Sequence, residues 1–83
     1  MKGRRLPDRD PAGQDTAFAE GDYGRISTTW FACAPGGHLG NLSRHTVTEH
    51  EDGTITVSPS IRISAGGVEL WHGWLERGVW RAV

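Results

Sequence analysis

The sequence predicts an all-β protein. Residues 23–83 form a single domain of about five to seven short strands, as a small antiparallel sheet or a sandwich-like or barrel-like body, behind a flexible N-terminal tail at residues 1–22. Three observations predict it. From Ile26 onward β-branched and aromatic residues dominate and glycines punctuate them, the pattern of strands and turns. Apolar residues recur at period two in several of these runs, as on a half-buried strand. The Asp52-Gly53 pair lies between two such runs, where glycine supplies the positive φ of a tight hairpin.

Taken in order, Met1 to Glu20 carries Lys2, Arg4, Arg5, Asp8, Arg9, Asp10 and Asp15, with only Leu6 and Phe18 as large apolar residues. Such a segment cannot offset its ordering entropy by burial, so it reads as a mobile tail, with a short helical turn over Asp15–Glu20 that Asp15 caps. Ile26–Cys33 reads as the first strand, Ala34–Gly37 as a turn and His38–Leu42 as the antiparallel return. Thr46–His50 and Thr54–Ser58 flank the Glu51-Asp52-Gly53 turn. Pro59 cannot donate to a ladder, so Ser58-Pro59-Ser60 is expected to be a bulge, an edge or a bend before Ile61–Ser64. Gly66-Gly67 turns the chain into Val68–Leu75, and Glu76-Arg77-Gly78 joins that strand to Val79–Ala82.

Alternation assigns the faces, because successive side chains of a strand point to opposite sides. Val68, Leu70, His72 and Trp74 share one row, and Trp71 and Leu75 fall on the other. Trp71 and Trp74 therefore cannot enter the same side of the sheet. The core is thin: 83 residues include only sixteen Leu, Ile, Val and Phe, so the four tryptophans must carry much of the apolar burial.

Composition also narrows the function. Nine Lys and Arg against ten Asp and Glu leave too little positive charge for a strongly basic nucleic-acid binder. No apolar run approaches the roughly 18 residues of a membrane span. The single cysteine, Cys33, allows no intramolecular disulfide, and no apolar stretch follows the charged start, so a cytoplasmic protein without a secretory signal is expected.

Several residues are candidates for chemistry. Cys33 and His38 flank the Pro35-Gly36-Gly37 turn, and His72, with His45 or His50, completes one conceivable tetrahedral zinc set. No Cys-x-x-Cys or His-x-x-x-His pair fixes that reading, so no metal and no cofactor is expected. Cys33, Ser58 or Ser60 as nucleophile, a histidine as base and Glu49 or Glu69 as its orienting group are present as types, but their spacing does not place them together. The segment from Trp71 to Arg81 interleaves aromatic residues with arginines, and Trp71, Trp74, Arg77, Trp80 and Arg81 are the candidate binding residues. Glu69 and Glu76 cancel the local charge, which favours a protein partner over a nucleic acid, since tryptophan and arginine are the residues that anchor protein interfaces.

Trp30-Phe31-Ala32-Cys33 before a Gly-rich turn, Thr56-Val57-Ser58-Pro59-Ser60-Ile61, and His72-Gly73-Trp74-Leu75-Glu76-Arg77-Gly78 together carry a resemblance. Over about residues 28–80 the chain resembles a family of small domains of unknown function from bacteria and their phages, commonest among actinobacterial phages. That pattern is a Trp-Phe-x-Cys strand, a Ser-Pro-Ser-Ile segment and a His-x-x-Leu-x-x-Gly hairpin. Longer relatives carry several cysteines in the turn, as a zinc knuckle does, whereas this chain keeps Cys33 alone. The resemblance implies a phage-type protein, and some bacterial relatives accompany ubiquitin-like conjugation components.

The expectation is a small non-enzymatic binding protein that acts on a host or viral protein, as an assembly component, or by self-association. A zinc-stabilised domain recognising protein or nucleic acid is the alternative, and a small hydrolase-like enzyme is third.

Overall fold

Period-two alternation and glycine-marked turns produce strands throughout. The computed structural model describes residues 1–10 and 17–83, and these contain nine strands and no helix. They are β1 (Arg4–Arg5), β2 (Asp22–Ile26), β3 (Thr29–Ala34), β4 (His38–Asn41), β5 (Thr46–Glu49), β6 (Ile55–Ser58), β7 (Ile61–Ala65), β8 (Val68–Glu76) and β9 (Val79–Ala82). A four-stranded sheet has the order β1-β2-β3-β4, β5 pairs with β6, and a three-stranded sheet has the order β7-β8-β9. Every pairing is antiparallel except that of β1 with β2. The all-β class is as expected; the additional strands come from the N-terminal segment and from a turn hidden in the expected first strand.

The N-terminal segment corrects the expectation of a tail. Gly3 N donates to Gly78 O and Trp80 N to Met1 O, both at 2.7 Å, so residues 1–3 lie antiparallel along β9. From Arg4 the donors face the other way: Arg4 N reaches Gly21 O, Leu6 N reaches Tyr23 O at 2.8 Å, and Arg9 N reaches Arg25 O at 2.9 Å. One extended segment thus fills the gap between β9 and β2 and joins the two larger sheets into a barrel-like wall. Satisfied backbone groups and paired side chains supply what apolar content does not. Arg4 grips the buried Asp22 with two hydrogen bonds of 3.1 and 3.0 Å, Arg5 reaches Asp8 and Glu49, and Leu6 is only 6% exposed. On the far side of the wall β4 approaches β7, where a Cβ on Gly40 would lie 3.5 Å from Ile63 Cδ1. Residues 17–21 run outside β3: Gly21 N donates to Cys33 O and the Phe18 ring lies 6.3 Å from that of Phe31. Ala17–Glu20 contains no helix, and the proposed cap Asp15 lies outside the described residues.

The expected single strand over Ile26–Cys33 is a hairpin. Its turn runs through Ser27, whose φ of 55° is a left-handed conformation unusual for serine. Ser27 N donates to Arg9 O at 2.7 Å, so the N-terminal segment helps to hold it there. The Asp52-Gly53 turn forms as expected, with Gly53 at φ 85° and Asp52 Oδ1 accepting from Thr54 N and Thr54 Oγ1. The chain leaves the β5–β6 hairpin through a cis Ser58–Pro59 peptide and enters a different sheet, the bend expected of Pro59.

Tyr23, Ala32, Ala34, Leu42, Ile55, Val57, Ile61, Leu75 and Trp80 form the core. The β5–β6 hairpin is fastened to the β8–β9 turn by Gly78 N to Ile55 O at 3.0 Å and Arg77 N to Thr56 Oγ1 at 3.0 Å. Trp71 packs inward edge-on against Trp80 at 5.3 Å, and its ring occupies the space that a Cβ on Gly73 would need.

Candidate functional site

Register decides which residues of the closing sheet meet. Leu75 opposes Trp80 on the core side, so the alternate pairs Trp74–Arg81 and Glu76–Val79 face outward. Arg62 opposes His72 on the same outer face. Pairing shifts after Ile63, which faces Trp71, to Ser64, which faces Glu69; Leu70 is the extra residue of a β-bulge. The bulge breaks the apolar row expected along β8 and carries Glu69 toward His72.

The outer face is built around Trp74. The Arg81 guanidinium lies over its ring at 4.7 Å and pairs with Glu76, a cation–π contact worth about 0.5–1 kcal/mol at an exposed site. The His72 ring is centred 6.4 Å from that of Trp74. His72 Nε2 shares a 3.0 Å hydrogen bond with Ser60 Oγ, and its Nδ1 lies 3.9 Å from Glu69 Oε1. The same Glu69 oxygen accepts from Arg62 Nε at 3.0 Å. Exposed Val68, Leu70 and Val79 belong to the same two strands. Charges are matched across this face, so it carries no strong field of either sign.

The five candidate binding residues do not form one patch. Trp74 and Arg81 meet as described. Trp80 is 2% exposed and donates its indole N–H to Gly21 O at 3.1 Å, so it is a core residue rather than a binding one. Trp71 is half-buried against the core. Both tryptophans are drawn inward because a core so poor in aliphatic residues is completed by them. Arg77 sits in the β8–β9 turn at φ 46° and borders an open cavity of about 500 Å³ with Glu49, His50, Glu51 and Asp52, away from Trp74. Alternation put Trp71 and Trp74 on opposite faces, and the structure agrees; it does not show in sequence which face is covered.

The alternative zinc set is not assembled. Among the described residues no group of three or more His, Cys, Asp and Glu comes together around a possible ion. Cys33 is buried beneath residues 19–21, and burial pushes its thiol up from the ordinary value. His45 Nε2 meets Ser60 O at 3.2 Å and His50 Nε2 meets Thr56 Oγ1 at 2.7 Å. A second cavity, of about 300 Å³, opens between Thr28, Thr29, Trp30, Ser43 and His45. The Arg5 and Arg25 guanidiniums lie 4.8 and 4.9 Å from the Trp30 ring beside it.

Sequence reasoning named Ser60, Glu69 and the histidines only as types; the bulge in β8 and the bend at Pro59 bring Ser60, His72 and Glu69 together. Arg62 carried no sequence signal, since an arginine on a strand reads as a solvated charge. No family model, curated protein or solved structure matches the chain. Among the described residues no helix is long and apolar enough to cross a membrane.

Proposed function

We propose that the protein is a small binding domain that docks a partner protein through the outer face of β7–β9, with Trp74 and Arg81 at the centre. One observation carries this reading. Of the four tryptophans, Trp80 lies in the core and Trp30 and Trp71 pack against it, whereas Trp74 stands outside that cluster with an arginine stacked on its ring. Trp74 is half-buried under Arg81 on a face where Val68, Leu70 and Val79 are exposed, an apolar surface that an interface would cover, and Trp–Arg pairs are characteristic anchors of such interfaces. The balanced charges of Arg62, Glu69, Glu76 and Arg81 fit a protein surface better than a phosphate backbone. In the setting that the phage resemblance implies, the partner is a host or viral protein. A second copy of the chain is the other occupant the same surface can accept.

The test is affinity capture with the tagged protein and with Trp74→Ala, from a lysate of the cells in which the protein is made, alongside sedimentation of the purified chain. A protein retained by the native chain and lost with Trp74→Ala, while the circular dichroism spectrum is unchanged, supports the reading. Concentration-dependent dimerisation abolished by the same substitution assigns the face to self-association. Partner retention or dimerisation that survives Trp74→Ala overturns it.

A further inference from the structure

The structure places a hydroxyl, an imidazole and a carboxylate in the order used for nucleophilic catalysis. Ser60 Oγ lies 3.0 Å from His72 Nε2, and His72 Nδ1 lies 3.9 Å from Glu69 Oε1. We propose that Ser60 is a nucleophile activated by His72, and that it takes the acyl group of a carboxylic ester.

Three features of the site support this. First, the arrangement favours the useful tautomer of the base. The Glu69 carboxylate lies on the Nδ1 side of the ring at 3.9 Å, beyond hydrogen-bond length, so it acts on the imidazole as a nearby negative charge, which favours a proton on Nδ1 and Nε2 as the acceptor for the serine hydroxyl. Second, each group is held. Ser60 follows Pro59 at the bend between sheets, and its carbonyl meets His45 Nε2. His72 is in the middle of β8, opposite Arg62, and Arg62 Nε donates to the Glu69 oxygen that faces the imidazole in an exposed ion pair. Third, the pair is reachable: the His72 side chain is 21% exposed and Ser60 is only partly covered, on the outer face rather than in the core. A hydroxyl and base in hydrogen-bond contact with a third group orienting the base is the general signature of an activated nucleophile.

The chemistry balances without a further reagent. Ser60 Oγ forms a bond to the ester carbonyl carbon as its proton passes to His72 Nε2. The imidazolium that forms lies 3.9 Å from the Glu69 carboxylate, whose negative charge favours it. When the tetrahedral centre collapses, the ester C–O bond breaks and the leaving alkoxide takes the proton from His72 Nε2. The acyl group remains on Ser60 until water, deprotonated by the same nitrogen, releases it as the acid and restores the hydroxyl.

The probe is a fluorophosphonate, which phosphonylates an activated serine with loss of fluoride, followed by mass spectrometry of the peptides. The folded chain is expected to acquire one adduct at Ser60, and the urea-unfolded chain none at the same time and dose. His72→Gln is expected to slow labelling about a hundredfold or more, the scale of a lost general base. Glu69→Gln is expected to slow it less and to convert the His72 ring from the Nδ1–H tautomer to a mixture in ¹⁵N spectra, which a purely structural carboxylate would not do. Should His72→Gln fail to fold, Ser60→Cys retains the imidazole; its thiol is expected to alkylate with iodoacetamide at least tenfold faster folded than unfolded. Labelling of the folded chain no faster than the unfolded chain, an adduct elsewhere, or an unchanged rate in folded His72→Gln overturns the proposal, as do equal alkylation rates in Ser60→Cys. The proposal fails separately from the docking reading: labelling at Ser60 is read on the isolated chain with no partner present, and docking is read by capture and sedimentation of the unlabelled chain.

Discussion

Leu6→Ala distinguishes a packed N-terminal strand from a tail. Leu6 is 6% exposed, its backbone N–H donates to Tyr23 O at 2.8 Å, and its side chain lies so close to β2 that a Cβ on Gly24 would be 3.3 Å from Leu6 Cβ. Large-to-small substitution of a buried leucine costs about 2–5 kcal/mol, from lost transfer energy and the cavity left behind. Leu6 is at the seam of the wall, where neighbours can close in, so about 2–3 kcal/mol is expected. An 83-residue domain has a total stability on the order of 4–12 kcal/mol, so this one substitution removes a large share of it. At about 4–8 °C per kcal/mol for a domain of this size, Tm should fall by about 10–20 °C. Thermal and urea unfolding followed by circular dichroism measure it, with Val83→Ala as the reference. Val83 is 72% exposed, and its substitution should stay within about 0.5 kcal/mol. If Leu6→Ala is as neutral as Val83→Ala, residues 1–9 do not contribute packing, and the closure of the wall between β9 and β2 is wrong.

Gly73→Ala should destabilise by about 2 kcal/mol or more, because its Cβ would meet the Trp71 ring and the Arg81 carbonyl; near-native urea unfolding would show that Trp71 can move aside. Trp80→Ala should cost about 3–5 kcal/mol and Trp74→Ala, at a half-buried site, clearly less in the same assay, and equal costs would count against the assignment of faces. Hydrogen bonds from Arg25 and Arg5 hold the Asp8 carboxyl below the ordinary carboxylate range. The stability it contributes is present above the unfolded value and lost as pH falls through the lower folded value, a small effect because the pair is half-exposed; Tm profiles of the native chain and Asp8→Asn should converge in acid, and a constant offset would refute the linkage. Cys33, buried and with its thiol pushed up, should react with a disulfide reagent only as fast as the protein opens, so a rapid native-state reaction would place the thiol at the surface.

Local chemistry was legible in the sequence where it acts over a few residues. The Asp52-Gly53 hairpin forms because glycine takes φ 85° and Asp52 accepts from Thr54, both interactions of near neighbours. Trp71 and Trp74 diverge because the pleat alternates at period two whatever surrounds it. Ser27 was not legible, since a left-handed serine has no compositional mark and is held in part by Arg9, far from it in sequence. The Ser60–His72–Glu69 group was hidden for a related reason. Alternation predicts one uninterrupted row along β8, and the register shift at Ser64 is a property of the pairing with β7.

By itself the sequence determined that the chain would be strands joined by glycine turns, where most of those turns lie, and that two tryptophans of one strand would point opposite ways. The tertiary structure alone decided which of those two faces is covered and what became of the N-terminal residues. Both outcomes depend on partners distant in sequence. β2 and β9 each present an edge of unpaired N–H and C=O groups, and such groups must find partners when water is removed. Residues 1–9 satisfy both edges at once, which a count of apolar side chains does not reveal. Closing the wall there turns Trp80 and Trp71 inward and leaves Trp74, with Arg81 over it, outside.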